Sequence, residues 1–184
     1  MSEPLKIHAE NTPNPNSTRY ALNRRIILHS GYDFPNAASG EASPLAKFLF
    51  EIPGVRGVYV GPDFVTVTTE EEALDGDRQK VIHAIGQFIA SGKPAVEGSV
   101  PSPHSSEGNN PLEVEIIRIL DTEIRPAVAM DGGDITFVSV ENGVVKLQLR
   151  GACHSCPSSI VTLKMGIETR LKQSLPEIES VEAV

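Results

Sequence analysis

Apolar positions in the first half of the chain follow strand-like and helix-like spacings in turn. Alternating apolar residues predict a strand over residues 18–29, or a strand pair interrupted at Asn23-Arg24. The inward-facing positions of this segment are Tyr20, Leu22, Ile26 and Leu28. Residues 30–42 are rich in Gly, Ser, Asn and Pro, and this composition predicts a loop.

A helix is predicted to begin at Ser43-Pro44, because Ser is a favoured N-cap and Pro fits the first helical position. Its apolar stripe has helical spacing and consists of Leu45, Phe48, Leu49 and Ile52. Two β-branched runs, 55–60 and 64–69, then predict consecutive strands. A second helix is predicted near 77–91, and Gly92 ends it.

Residues 96–110 have no apolar periodicity, and Pro, Ser and Gly dominate them. Such a composition is typical of a flexible linker. We therefore predict two domains, one over residues 1–95 and one over residues 111–184.

The second half predicts the order α-β-β-α-β. Asn110 and Pro111 mark a helix start, and Pro126 is expected to end or kink that helix. Asn142-Gly143 is a strong hairpin signal between two strands. A helix follows from Pro157, and a last strand is expected over residues 178–184. The whole chain is thus predicted to be α+β, with two small α/β sandwiches.

Paired glycines lie between two acidic residues in the turn Asp131-Gly132-Gly133-Asp134. Glycine is favoured where the backbone needs a positive φ or a close approach. We favour a structural turn here over metal binding or acid–base chemistry by the two carboxylates. Met130, just before the turn, is expected in the core or in an interface.

Composition and charge exclude several classes of function. The chain has 184 residues and a formal net charge of −8, which disfavours binding to nucleic acid. No apolar run approaches the ~20 residues that span a bilayer, so no membrane contact is expected. The N-terminal residues lack the pattern of a secretory signal or a transit peptide. These features predict a cytoplasmic location.

Both cysteines lie in one loop, Gly151–Ser159, between a predicted strand and a predicted helix. The Cys-x-x-Cys spacing lets Cys153 and Cys156 face one metal ion or cluster. Cys156 precedes Pro157 and is the expected N-cap, where the helix dipole favours a thiolate. His154 is expected to point to solvent.

Two thiolates are half of the usual four-ligand set. A second copy of the chain is the simplest source of the other two, which predicts a cluster-bridged homodimer. Zinc bound between two chains and a dithiol–disulfide oxidoreductase remain alternatives. A thioredoxin-like pair needs a βαβ unit before the motif, whereas a hairpin is predicted there. Two small buried side chains are disfavoured, because the loop is rich in Ser, Gly and Pro.

Three motifs in the second half resemble the C-terminal domain of the NifU-like, or Nfu, iron–sulfur scaffold family. They are Asp131–Ile135, Gly151–Ser159 and Thr162–Glu168. The first half resembles the Nfu N-terminal domain at four motifs: Thr12–Ser17, Ser43–Ala46, Pro53–Val55 and Asp63–Thr68. One departure is that the chain has no Trp before the helix near 77–91, where the family often has one. Packing near Leu74 is therefore expected to differ.

The resemblance implies a non-enzymatic carrier. It implies a [4Fe-4S] cluster that bridges two subunits, with Cys153 and Cys156 as the ligands in each. It also implies transfer of the cluster to apo iron–sulfur client proteins, after loading by an upstream assembly donor. No catalytic residues are carried over from the family.

Overall fold

The computed structural model describes residues 4–28, 31–72, 75–97, 110–154 and 157–184. Helices pack on two separate sheets, and this confirms the predicted α+β class. Most of the predicted linker, residues 98–109, lies outside the described residues, as does Leu74. Val96, which composition assigned to the linker, packs against the first hydrophobic core.

The first sheet has five antiparallel strands in the order β1-β2-β5-β4-β3. Its strands are β1 (Ile7–Asn11), β2 (Ser17–Leu22), β3 (Tyr32–Phe34), β4 (Val55–Val60) and β5 (Phe64–Thr69). Three helices accompany it: α1 (Ala37–Gly40), α2 (Pro44–Phe50) and α3 (Asp75–Ala90). We call this part, residues 4–97, the five-stranded unit.

The second sheet has three strands in the order β6-β7-β8, with β6 and β7 antiparallel and β7 and β8 parallel. Its strands are β6 (Gly133–Glu141), β7 (Val144–Gly151) and β8 (Ser180–Ala183). Its helical segments are α4 (Pro111–Ile119), a π-helical turn (Leu120–Ile124), α5 (Arg125–Met130) and α6 (Pro157–Ser174). We call this part, residues 110–184, the three-stranded unit, and its order is the predicted α-β-β-α-β.

Each unit has its own hydrophobic core. The first lies between one sheet face and helices α2 and α3, and includes Leu45, Val65 and Ile85. The second lies under α4 and α6, and includes Ile116 and Leu171. Alternation along each strand decides which face is buried, since side chains of neighbouring strand residues point to opposite faces.

The predicted strand over residues 18–29 is shorter in the structure. β2 ends at Leu22, and Leu28, expected to face inward, is 80% exposed. The side chain of Asn23 accepts a hydrogen bond from the backbone of Lys6 at 2.9 Å and donates one to Pro4 at 2.9 Å. The backbone N–H of Asn23 donates to the Lys6 carbonyl at 3.3 Å, and among the described residues the next strand begins only at Tyr32. Alternating apolar residues beyond Asn23 therefore did not indicate a strand.

The predicted loop over residues 30–42 contains two short elements. β3 pairs with Val58–Val60 of β4, a contact distant in sequence. α1 begins with a capping box, in which Asn36 and Ser39 bond each other's backbone N–H groups. Both elements are too short to give a periodic signal in the sequence, so the composition of this segment indicated only a loop.

The helix that begins at Pro111 does not end at Pro126. It widens into the π-helical turn before Pro126 and then continues as α5 to Met130. Proline lacks an N–H and its ring crowds the preceding turn, so the wider turn accommodates it. The predicted turn therefore begins at Asp131. The 74% exposure of Met130 shows that it is not a core residue, while its alternative place in an interface stays a prediction.

We expect Ser43→Ala to destabilise the five-stranded unit by about 1–2 kcal/mol. The fully buried Ser43 hydroxyl caps α2 by accepting from the Ala46 N–H at 3.0 Å and donates to the Ala95 carbonyl at 2.5 Å. Urea unfolding followed by circular dichroism measures the change. Asn110→Ala, which removes the exposed cap of α4, is the matched control for the other unit. An unchanged midpoint for Ser43→Ala would contradict the role of this hydroxyl.

Candidate functional site

The cysteine loop joins β7 to α6, as the sequence predicted. β7 ends at Gly151, Ala152 to His154 form a turn, and α6 begins at Pro157. Cys156, the second predicted ligand, lies outside the described residues, as does Ser155. The arrangement of the two thiols relative to each other therefore stays a prediction.

Cys153 is buried, with only 5% of its surface exposed, and it belongs to the core cluster of the three-stranded unit. The sequence disfavoured such a buried position, but the structure has it for this cysteine. His154, the next residue, is exposed as predicted. The loop thus places one thiol inside and the following side chain outside.

The paired glycines contact both units of the molecule. Gly132 has a φ of 77°, and a side chain there would come within 2.9 Å of the Thr66 hydroxyl in the five-stranded unit. A Cβ on Gly133 would lie 2.4 Å from the Cys153 sulfur and 3.0 Å from the Arg150 carbonyl oxygen. Both glycines therefore shape the backbone, as predicted, because both positions require the absence of a side chain. The turn is shorter than predicted, since Gly133 and Asp134 already belong to β6.

A cavity of about 460 Å³ opens beside Cys153. Helices α5 and α6 supply apolar walls that include Val128, Leu163 and Ile167. Pro13 and Asn14, from the turn between β1 and β2, supply part of the wall from the five-stranded unit. The buried thiol therefore adjoins space that both units enclose.

The two units meet through hydrogen bonds at the residues that flank Cys153. The Asn14 side-chain amide donates to the Ala152 carbonyl at 3.1 Å, and the Thr66 hydroxyl donates to the Gly132 carbonyl at 2.7 Å. The Arg19 guanidinium donates to the Ala129 carbonyl at 3.0 Å. The Gly132 and Ala152 carbonyls belong to the turns before β6 and after β7, and the Ala129 carbonyl belongs to the last turn of α5.

Asp134 is the central charged group of this contact and is almost fully buried. It accepts hydrogen bonds from the Tyr59 hydroxyl at 2.9 Å, from Arg125 Nε at 3.1 Å and from its neighbour's N–H, that of Ile135, at 2.8 Å. Arg125 balances the buried charge, as a buried carboxylate requires. Burial and the Asp134 carboxylate hold the pKa of Tyr59 well above its ordinary value of 10.0, so the hydroxyl stays a donor.

Asp33 makes a further contact between the units, because its carboxylate accepts from the Gly151 N–H at 3.2 Å. Burial raises the pKa of Asp33 above its ordinary value of 3.8, although the Gly151 hydrogen bond acts in the opposite direction. The folded chain consequently binds this proton more tightly than the unfolded chain does. The resulting stabilisation is present at low pH and is lost as the pH rises through the folded pKa.

We therefore expect Asp33→Asn to be more stable than the parent at about pH 7.5, with the difference shrinking toward about pH 4. The Asn oxygen can still accept from Gly151, whereas no charge is buried. Urea unfolding of both proteins across this pH range measures the difference. A stability difference that does not vary with pH would contradict this interpretation of Asp33.

Sequence reasoning did not find the contact between the units. Tyr59, Phe64 and Thr66 lie on the sheet face that points away from α2 and α3, and all three are buried. Contacts between side chains extend the surface between the units: the Tyr59 ring stacks on the Phe64 ring, and the guanidinium carbon of Arg19 lies 4.6 Å from the centre of the Phe64 ring. The available signal was the large aromatic side chains of Tyr59 and Phe64 at two of these outward strand positions, which a solvated face would not favour.

No group of three or more His, Cys, Asp or Glu side chains among the described residues is placed to hold a metal ion. Within the same residues, no helix has both the length and the hydropathy to cross a bilayer.

Comparison with known proteins gives matches over both halves of the chain. Residues 7–92 match the family described as scaffold protein Nfu/NifU N terminal, and residues 116–182 match the NifU-like domain. The human NFU1 iron-sulfur cluster scaffold homolog, mitochondrial, is 45% identical over 181 residues, which are 97% of this chain and 71% of that protein. The chain belongs to the Nfu/NifU scaffold protein family.

Other Nfu relatives give the same result. The proteins of the same name from Drosophila grimshawi and Drosophila persimilis are 44% and 43% identical over 182 residues. Both matches span 97% of this chain, and they span 61% and 64% of the lengths of those two relatives.

A solution NMR structure of a NifU-like protein from Saccharomyces cerevisiae has a TM-score of 0.45 and 20% identity to this chain, over 53% of this chain and 90% of that one.

Proposed function

We propose that this chain is an iron–sulfur scaffold that holds a [4Fe-4S] cluster with Cys153 and Cys156 of two copies and transfers it to apo-proteins. The observation that carries the proposal is that both cysteines of the sequence fall between the end of β7 at Gly151 and the start of α6 at Pro157, with Cys153 in the turn that follows β7. The names of the curated relatives, which call them iron-sulfur cluster scaffolds, support the same role.

Thiolates at this turn suit the binding of a cluster. Helix α6 is 18 residues long, and the positive end of its dipole points at the loop. That field favours negative charge, and the thiolate is the form of cysteine that binds iron. When bound, the cluster is cargo that the two cysteines hold and give up.

Sharing between two copies follows from the number of ligands. The chain has two cysteines, whereas a [4Fe-4S] cluster takes four thiolates. A two-fold axis at the loop brings together two equivalent pairs, which is the usual symmetry of a homodimer. A cluster that bridges two chains is also released when the chains separate, which suits transfer.

The proposed role needs no catalysis by the protein. Partners are an upstream donor and apo iron–sulfur clients, with no part for nucleic acid or membrane. A cytoplasmic location remains our prediction, and the relatives named above carry the word mitochondrial in their names.

Anaerobic reconstitution with iron and sulfide tests the proposal. We expect a brown protein with about four iron and four sulfide per two chains. Mixing with an apo-protein of the [4Fe-4S] class should then activate it faster than equal free iron and sulfide do. Bound zinc without sulfide, or a reversible disulfide and no cluster, would instead support one of the two alternatives from the sequence.

A further inference from the structure

The outer face of the five-stranded sheet is covered by the three-stranded unit. Phe64 and Tyr59 project from this face and are 3% and 2% exposed, yet neither belongs to the core under α2 and α3. Four side chains of the unit, those of Asn14, Arg19, Tyr59 and Thr66, donate hydrogen bonds across the contact, and Asp33 accepts one. We call these five residues and their partners the unit interface.

Three of the partners in the unit interface, Gly132, Gly151 and Ala152, lie close to Cys153. Gly151 and Ala152 precede Cys153 directly in the chain, and both are bound from the other unit. Gly132 is bound by Thr66, and its neighbour Gly133 lies against the Cys153 sulfur. The five-stranded unit therefore fixes the backbone that surrounds the thiol, while Pro13 and Asn14 help to close the cavity beside it.

The chemistry of the unit interface suits a contact that opens. Its bonds join polar side chains mainly to backbone carbonyls, and water can replace both partners after separation. Contacts between parts of one chain are commonly polar in this way, and relative motion of the parts is then expected. Asp134 would retain its ion pair with Arg125 in the open form, so opening of the interface leaves no buried charge without a partner.

We propose that the five-stranded unit is an internal cover for Cys153 and the backbone beside it, and that the unit interface must open before Cys153 can be shared with a second chain. In the closed form Cys153 packs in the core of its own unit, and Pro13 and Asn14 of the five-stranded unit line the cavity beside it. Its 5% exposure is too little for a ligand that must reach a cluster at the surface. Only the open fraction binds, so the apparent affinity for the cluster falls by that fraction. Cluster binding in turn holds the chain open.

The role of this cover in cluster loading rests on the proposed function, whereas the cover itself is a property of the metal-free chain. The experiment accordingly uses the full chain without metal, in a Cys156→Ser background that leaves Cys153 as the only thiol. The rate of reaction of Cys153 with a small maleimide reports the open fraction. Small-angle X-ray scattering on the same samples reports separation of the units.

The test variant is Tyr59→Phe with Thr66→Val, which removes two hydroxyl donors of the unit interface and keeps the shapes of the side chains. The matched control is Tyr32→Phe with Thr69→Val. It makes the same chemical changes in the same unit, and among the described residues the Thr69 hydroxyl bonds to the Asn16 and Glu71 carbonyls of that unit. We expect the test variant to react about tenfold to thirtyfold faster, with a larger radius of gyration, and the control to change less than about twofold.

Tyr59→Phe alone gives a milder version of the test, with an expected increase of several-fold, should the double variant fail to fold. Equal rates in the parent, test and control proteins would overturn the proposal, as would a parent thiol that already reacts like that of the urea-unfolded chain. The result is independent of the proposed function. A chain that shows the cover but forms no cluster would refute only the scaffold role, and a cluster-binding chain with unchanged thiol rates would refute only the cover.

Discussion

A chain with Cys153→Ala is expected to fold normally and to hold less than about a tenth of the parental iron after reconstitution. The substitution removes one thiolate from each copy, so a cluster shared by two chains loses two of its four ligands at once. Alanine keeps a small apolar side chain in the buried position, whereas serine would bury a hydroxyl at a cost of about 1–3 kcal/mol. Alanine therefore separates loss of ligation from loss of stability.

The measurement is iron and sulfide per chain together with the visible spectrum and the oligomeric state. His154→Ala is the matched control, because His154 lies in the same turn and is exposed. It should retain the parental cluster and dimer. If Cys153→Ala still binds a full cluster, Cys153 is not a ligand and the proposed site is wrong.

Gly133→Ala is expected to have the second largest effect, since it places a methyl group where the Cys153 sulfur now lies. The new Cβ would be 2.4 Å from that sulfur and 3.0 Å from the Arg150 carbonyl oxygen. The sulfur can rotate away but the β7 backbone cannot, so both stability and thiol position change. We expect a loss of about 1–3 kcal/mol, as for other overpacked sites, and a several-fold fall in bound iron.

Urea unfolding and iron analysis on the same preparation measure both effects. Gly76→Ala is the control: its Cβ meets nothing within 4 Å in α3, and Ala there should stabilise the helix by up to about 1 kcal/mol. A Gly133→Ala chain with parental stability and parental iron would show that the thiol does not depend on this close approach.

Local sequence signals predicted most of the three-stranded unit. Asn142 and Gly143 have φ values of 50° and 75°, the left-handed conformations that a two-residue hairpin requires. Asn110 and Ser43 cap their helices as their spacing indicated. Val145, Leu147 and Leu149 alternate with polar residues along β7, and all three are buried. Each of these features depends on residues close in the chain.

What the sequence missed depends on residues distant in the chain. β3 exists because it pairs with β4, and the burial of Tyr59 depends on Asp134, which lies 75 positions away. No periodicity within one strand encodes such a partner. The burial of Cys153 was missed for the same reason, because the composition of a loop does not indicate which neighbours cover it.

Mass spectrometry of the intact, reconstituted protein under non-denaturing conditions tests the central claim most directly. We predict one [4Fe-4S] cluster on two chains, and single chains without iron. A cluster held by one chain alone, or a reconstituted chain that carries no iron and sulfide, would contradict the account.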